Sequence, residues 1–247
     1  MNTERIGKHT VEYFGDIEEM PVVRYNKWQR ALLVDAGVGS DIAAFDRHCE
    51  RLRIYLSKGQ TEEAAKELDN LRQSVWVMQQ EITPQHLAFA ALVTKIDGRA
   101  CDDLTDEALQ RIVKELGDVP RKKLSGIIGR LKKKIESDLI LYFPKLFEGS
   151  ETKEYFDLLK KRAVETLRWI QGKTDKRGSY DEQLAVFASP QIFTGSEGVE
   201  VQQTKRFDAT CATLSEVLHL DAKRLTVLEF YNAFELLEAR GRENGRK

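Results

Sequence analysis

"SDIAAFDRHCERLRIYLSKGQTEEAAKELDNLRQSVWVMQQEI" runs from Ser40 to Ile82 and decides the fold class. Its apolar residues recur at Ile42, Phe45, Cys49, Leu52 and Leu56, in steps of three, four, three and four. "SKGQ" (57–60) interrupts the pattern. A second series follows at Ala64, Leu68, Leu71, Val75, Met78 and Ile82. Such steps keep side chains on one face of a helix. Ser40 is placed to cap the first helix. The spacing predicts two helices joined by a four-residue turn, an antiparallel hairpin that buries its two apolar stripes against each other.

The rest of the 247-residue chain agrees with a mainly α fold. Apolar residues make up 41%, enough for a core, and charged residues 32%, which suits well-solvated helices. There are only five prolines, and Leu, Ala, Glu, Lys and Arg are abundant. The 39 basic and 40 acidic residues nearly cancel, so the chain as a whole has no electrostatic pull toward nucleic acid or anionic membrane. Cys49, Cys101 and Cys211 are scattered and odd in number, which argues against a disulfide framework or a structural zinc site. The N-terminal stretch has no apolar core segment and no run approaches a membrane span. A soluble, intracellular protein with no membrane partner is expected.

Residues 1–25 read as a polar arm or weak strand with aromatics at Tyr13, Phe14 and Tyr25, followed by a short helix around Lys27–Ala36 that stops at "AGVGS". Thr83–Pro84 starts another helix. Asp97–Gly98 either ends that helix or closes a small β-hairpin between "LVTKI" and "RAC". Thr105 starts a helix carrying Leu109, Ile112, Val113 and Leu116. Pro120 opens a long helix with Leu124, Ile127, Ile128, Leu131, Ile135, Leu139 and Tyr142 on one stripe, and Pro144 ends it. A further helix spans about 151–171, with Phe156, Leu159, Ala163, Leu167 and Ile170 on one side. The expected architecture is a multi-helix bundle over 1–171, a linker at 172–183 ("GKTDKRGSYDEQ"), and a smaller C-terminal helical unit over 184–247. In that unit an irregular, partly extended stretch precedes helices near 206–218 and 226–240.

Catalytic constellations are sparse. His9, His48, His86 and His219 show no metal-ligand spacing. His48 and Cys49 are neighbours that point about 100° apart on a helix. Cys211 with His219 reads as a core thiol and a surface imidazole rather than a nucleophile and its base. "AGVGS" (36–40) lacks the Lys-Ser/Thr ending of a phosphate loop. Asp97, Asp102 and Asp103 lack calcium-loop spacing. No catalytic residue, cofactor or metal is assigned, and a non-enzymatic protein is expected.

Two features point to partners. From Arg121 to Phe143 seven basic residues stand against two acidic ones. Lys122, Lys123, Arg130, Lys132, Lys133 and Lys134 lie mostly off the apolar stripe and could contact phosphates. The commoner meaning of such a run is a solvated face. The other feature is "RLTVLEFYNAFELLEARG" (224–241). Thr226 and Glu229 form a capping box, with Leu225 and Phe230 as the hydrophobic staple across it. Val227, Phe230, Tyr231, Phe234 and Leu237 share one face. Leu228 and Leu236 fall in the opposite arc with Asn232 and Glu235, where they are either ordinary surface residues or a partner contact.

"ALVTKIDGRACDDLTDEALQRIV" (91–113), together with "LTVLEFYNAFELLE" (225–238), resembles proteins encoded in the tail-assembly modules of tailed bacteriophages, which include small helical tail assembly chaperones. The resemblance implies a non-catalytic tail assembly factor or virion component, working through protein contacts with tail components or with itself, in the host cytoplasm or the virion. It transfers no active-site residue. The alternative is a nucleic-acid-binding regulator that uses the basic helix at 121–134.

Overall fold

The polar N-terminal residues pair with themselves. Strands β1 (Asn2–Ile6) and β2 (His9–Tyr13) form an antiparallel hairpin across Gly7–Lys8, with Gly7 at φ 59°. Only glycine holds that first turn position without strain. A computed structural model of the chain describes residues 1–117, 121–144, 150–173, 176–187, 191–193 and 198–244. Within these it gives the backbone alone at 121–123, 125, 150–153, 155–156, 185–187 and 238–244. The chain is mainly α, with ten α-helices among the described residues and one four-stranded antiparallel sheet.

The Asp97–Gly98 dipeptide closes a hairpin. β3 (Val93–Ile96) and β4 (Arg99–Ala100) turn back through Asp97 at φ 49° and Gly98 at φ 81°, the two left-handed positions of a tight hairpin turn. β3 also pairs with β2, which gives the order β1-β2-β3-β4. Ile6, Val11, Tyr13 and Ile96 enter the core. The cross-strand neighbours Glu12 and Lys95 form an ion pair at 3.0 Å.

Helices α1 (Val22–Val38), α2 (Ile42–Ser57), α3 (Thr61–Met78) and α4 (Pro84–Leu92) are inserted between β2 and β3. Ala88, Phe89, Ala90, Ala91 and Leu92 are all buried, so the second half of α4 is apolar on every side. The alanines let α1 pack closely, and the Tyr13 ring meets Phe89 edge-on at 5.5 Å. α4 runs into β3 with no loop, which leaves its last carbonyls facing α1. Arg24 of α1 meets them. Its Nη1 donates to the Ala91 and Val93 oxygens at 3.1 and 2.8 Å, and Nη2 donates to the Cys101 oxygen. The guanidinium lies 5.7 Å from the centre of the Phe14 ring. A cation at a helix C-terminus satisfies both the dipole and the orphan carbonyls. Burial pushes Arg24 below the usual arginine value, and Asp102, 3.7 Å away, pushes back.

α5 (Asp106–Leu116) and α6 (Arg121–Tyr142) complete the main core as their periodicity requires. Thr105 accepts from the Ala108 N–H, and Leu109, Ile112, Val113 and Leu116 are buried. Leu124, Ile127, Ile128, Leu131, Ile135 and Leu139 are buried in α6. At its end Phe143 goes inward and Tyr142 outward. Pro120 lies outside the described residues.

Several expectations need correction. α1 begins at Val22, five residues before the expected start, because Val22, Tyr25 and Trp28 are all core residues. The cap of α2 is Asp41, which accepts from the Ala44 N–H, while Ser40 donates to Asp35. The α2–α3 hairpin exists, but its stripes are not buried together. Ile42 and Leu56 are 74% and 60% exposed, and Leu68 is 48% exposed. Ala64 of the expected stripe is buried, and the other inward residues lie off the stripes: Ala44, His48 and Tyr55 on α2 and Glu67, Asn70, Ser74 and Val77 on α3. α7 (Ser150–Ile170) repeats the pattern. Leu167 and Ile170 are exposed, whereas Leu158 and Glu165 are buried. The side chain of Phe156 lies outside the described residues.

The stretch read as a linker holds the start of α8 (Arg177–Phe187), which packs back along α7. α9 begins at Val199, within the stretch expected to be irregular, and ends at Leu218. A short 3-10 turn (Ala222–Arg224) leads to α10 (Val227–Asn244). The start of α10 is clipped to the segment before α1. Val22 N–H donates to Leu225 O at 2.9 Å, Val227 N–H to Met20 O at 2.9 Å, and Leu228 N–H to Ile17 O at 3.0 Å. Val22, Cys211, Leu214, Ala222 and Phe230 form a second core there, which the staple residue Leu225 joins. The C-terminal helices therefore pack on the first helix of the chain.

Arg24→Met keeps the apolar stem and removes the guanidinium donors from three buried carbonyls. Its expected cost is on the order of 3 kcal/mol or more, read from urea denaturation. Arg24→Lys should recover only part of it, because an ammonium cannot fork between three oxygens. A variant within about 0.5 kcal/mol of the parent, the usual range for neutral surface changes, would contradict this role.

Candidate functional site

A concavity lies over α1 and α4, between the end of α3 and the start of α5. It has a volume of about 550 Å3, within the range of small-ligand and peptide clefts. Ala31, Val34, Leu87 and Leu109 give it an apolar lining, and Trp76 stands at the edge. Charge is concentrated at one side. Asp106 lies 3.0 Å from both Lys27 Nζ and Arg30 Nη2, and Arg30 Nε lies 3.1 Å from Glu200 of α9. Burial raises the Asp106 carboxyl, but Lys27 and Arg30 outweigh it and hold the group below the usual carboxylate range. Lys27, Arg30, Asp106 and Glu200 are thus paired with one another, and Glu81 and Lys114 of opposite sign also line the groove, which makes it an apolar slot with a rim of balanced charge.

A buried polar cluster underlies the α2–α3 hairpin. His48 Nε2 donates to the Val38 carbonyl at 2.8 Å, and Nδ1 lies 2.8 Å from Glu67 Oε1. Arg51 Nε is 2.8 Å from the same oxygen, close enough for an ion pair though not aligned as a hydrogen bond. Glu67 is fully buried, and Asn70 donates to the Gln191 carbonyl at 3.1 Å. Among the described residues, Glu67 Oε2 and Ser74 Oγ have no hydrogen-bond partner. The cluster ties three elements together and forms no nucleophile–base arrangement.

The two faces singled out from the sequence have different fates. On α10, Thr226 N–H donates to Glu229 Oε2 at 2.9 Å and Glu229 N–H to Thr226 Oγ1 at 3.3 Å, so the capping box forms. Leu228 is half-buried and packs against the main core together with Tyr231. Asn232 is exposed, Glu235 half-buried, and Leu236 46% exposed. The chain itself therefore covers the Leu228 end of the proposed partner face and leaves the Leu236 end open. On α6, Arg130, Lys132, Lys133 and Lys134 all face solvent, and Lys132 lies 3.8 Å from Glu136. The side chains of Lys122 and Lys123 lie outside the described residues.

The remaining chemical candidates are dispersed. Cys211 is buried beside Leu214 and Ala222, while His219 is an exposed residue ending α9. Burial pushes the Cys101 and Cys211 thiols up, away from the reactive thiolate. "AGVGS" covers the last residues of α1 and the start of the turn to α2, and a Cβ at Gly37 would overlap the Phe193 ring. The three aspartates do not converge. Asp97 accepts from Thr10 N–H at 2.8 Å and sits 2.6 Å from His9 Nδ1. Asp103 accepts from Thr105 N–H at 2.9 Å, and Asp102 faces Arg24. No cluster of three or more metal-ligating side chains occurs among the described residues. No helix among them is long and apolar enough to cross a membrane.

Neither the groove nor the Glu67 cluster is legible locally, since residues from α1 to α9 line the first and a face other than the apolar stripes builds the second. Asp97 supplies a test of the local geometry. The Thr10 N–H and then His9 hold its carboxyl below the usual range, so its contribution exists above the unfolded value, about 3.9, and is lost as pH falls through the lowered folded value. Carboxyl NMR titration should place the Asp97 midpoint below that reference, and His9→Ala should raise it. A midpoint at or above the reference would contradict the contact. Comparison with known proteins adds no relative, for no family model, curated protein or solved structure matches this chain.

Proposed function

We propose that the protein is a non-enzymatic interaction and assembly protein that works by docking other protein chains. The observation that carries this reading is the reversed hairpin. α2 and α3 turn His48, Glu67, Asn70 and Ser74 toward the body, beside Ala44, Tyr55, Ala64 and Val77, and leave Ile42, Leu56, Leu68 and Val75 exposed. Scattered surface leucines need no explanation, but a periodic outward stripe along two helices is a surface to be covered. The exposed Leu236 and Asn232 of α10 and the slot beside Trp76 supply further contact surface. The resemblance of 91–113 and 225–238 supports a place among bacteriophage tail assembly factors or virion components.

A second reading rests on α6, whose exposed cations Arg130, Lys132, Lys133 and Lys134 lie opposite a fully buried stripe. In that reading the protein is a nucleic-acid-binding regulator. The two separate cleanly by experiment. The chain is co-expressed with the products of the genes flanking its own, and retention is measured for Leu68→Glu, Trp76→Asp, Leu236→Glu and the triple reversal of Lys132, Lys133 and Lys134. The interaction reading expects at least one apolar variant to weaken a partner about tenfold, or 1.4 kcal/mol, with the reversal neutral. Retention unchanged in all three apolar variants overturns it. The nucleic-acid reading expects duplex DNA binding at low salt that falls steeply as salt rises and falls further in the reversal. No binding at low salt overturns that one.

A further inference from the structure

We propose that the outward apolar face of the α2–α3 hairpin is where two copies of this chain pair, hairpin against hairpin, about a two-fold axis passing close to Cys49. The proposal rests on the interaction reading and names the partner for this one surface.

The first support is the period. Ile42, Phe45, Cys49, Leu52 and Leu56 on α2, and Leu68, Leu71, Val75 and Met78 on α3, follow a strict alternation of three and four. That is the seam of helices running side by side along their length, whereas a compact ligand needs only a local pocket. The stripe from Ile42 to Leu56 is about 21 Å long at 1.5 Å per residue, and its occupant must be rod-like. The second support is the state of the seam. Phe45, Cys49, Leu52 and Leu71 are half-buried, while Ile42, Leu56, Leu68 and Val75 on the same stripes stand exposed. This is half of a four-helix arrangement, two antiparallel helices with one side of their common seam uncovered.

Charge selects the partner. Asp46 and Arg53 are exposed, flank the α2 stripe on the side away from His48, and are equidistant in sequence from the point between Cys49 and Glu50. A two-fold axis at that point runs α2 antiparallel to its copy and sets Asp46 of each chain opposite Arg53 of the other. The face is thus complementary to itself, as an isologous interface must be, and antiparallel helices meet in this way through their flanking charges. Among the described residues, the contact Arg53 gives up is an exposed one with Glu50 at 3.8 Å. Exposed Arg72 and Asp69 supply a polar rim beside α3.

Sedimentation equilibrium on the full chain, from micromolar to millimolar concentration, tests the proposal. A dimer is expected. Leu68→Glu and Ile42→Glu, at positions already in solvent, should each weaken it at least tenfold while leaving thermal unfolding of the dilute chain unchanged. Asp46→Arg should weaken it, and adding Arg53→Asp to that variant should restore it, a reversal that general destabilisation does not produce. A short bis-maleimide should link two chains through Cys49, and Cys49→Ser should abolish the link. A chain that stays monomeric throughout overturns the pairing, as does a dimer indifferent to all four changes. If a monomer still retains a foreign partner, and Leu68→Glu releases it, the pairing fails while the interaction reading stands. If no self-association and no partner is found, both fail.

Discussion

Arg24 donates to the carbonyl oxygens of Ala91, Val93 and Cys101 from beneath the Phe14 ring. Those oxygens belong to the end of α4, the start of β3 and the residue just after β4. The helix-to-strand junction at Leu92–Val93 has no loop in which to turn unsatisfied carbonyls toward water. A buried carbonyl without a donor costs free energy of the same order as a lost hydrogen bond. One fixed guanidinium meets three of them and holds α1 against the sheet. The buried alanines of α4 permit that approach, and Arg24 sets its direction.

With α1 fixed, the rest of the molecule is arranged around it. The first turn of α1 carries Val22 into the second core and pairs its N–H with Leu225, so the last helices of the chain are anchored to the first. The middle of α1 offers Lys27, Arg30, Ala31 and Val34 to the groove. Its final carbonyl, from Val38, accepts from His48 and so begins the polar cluster under the hairpin. Groove, clip and hairpin thus share one support, and a change that tilted α1 would disturb all three.

Features specified by near neighbours were legible in the sequence. The stripe of α5, that of α6 as far as Leu139, the Thr105 cap and the Thr226–Glu229 box all depend on residues within a few turns and form as read, whereas Tyr142, read as the end of the α6 stripe, points outward. Asp97–Gly98 left two readings open because the dipeptide fixes the turn, while the choice of hairpin depends on pairing with β2 some eighty residues earlier. Arg24 had no signal, since its partners lie in another segment and are backbone atoms. The α2–α3 stripes and that of α7 show a different limit. Periodicity correctly gave the helices, but a stripe says which residues share a face, not what lies against it. Here His48, Arg51 and Glu67 neutralise one another well enough to face inward, and the leucines face outward. A buried network of this kind contributes definition more than net stability, since well-packed apolar residues often serve as well or better.

The reversed hairpin is the central claim, and hydroxyl-radical footprinting reads it directly. Leu68 and Val75 should be oxidised readily in dilute protein and become protected as concentration rises. Trp76, on a different side of α3, should stay reactive throughout, and buried Leu92 should stay protected. Leu68 and Val75 as protected as Leu92 at the lowest concentration would mean that the stripe faces inward. Equal reactivity at every concentration would mean that no second copy covers it.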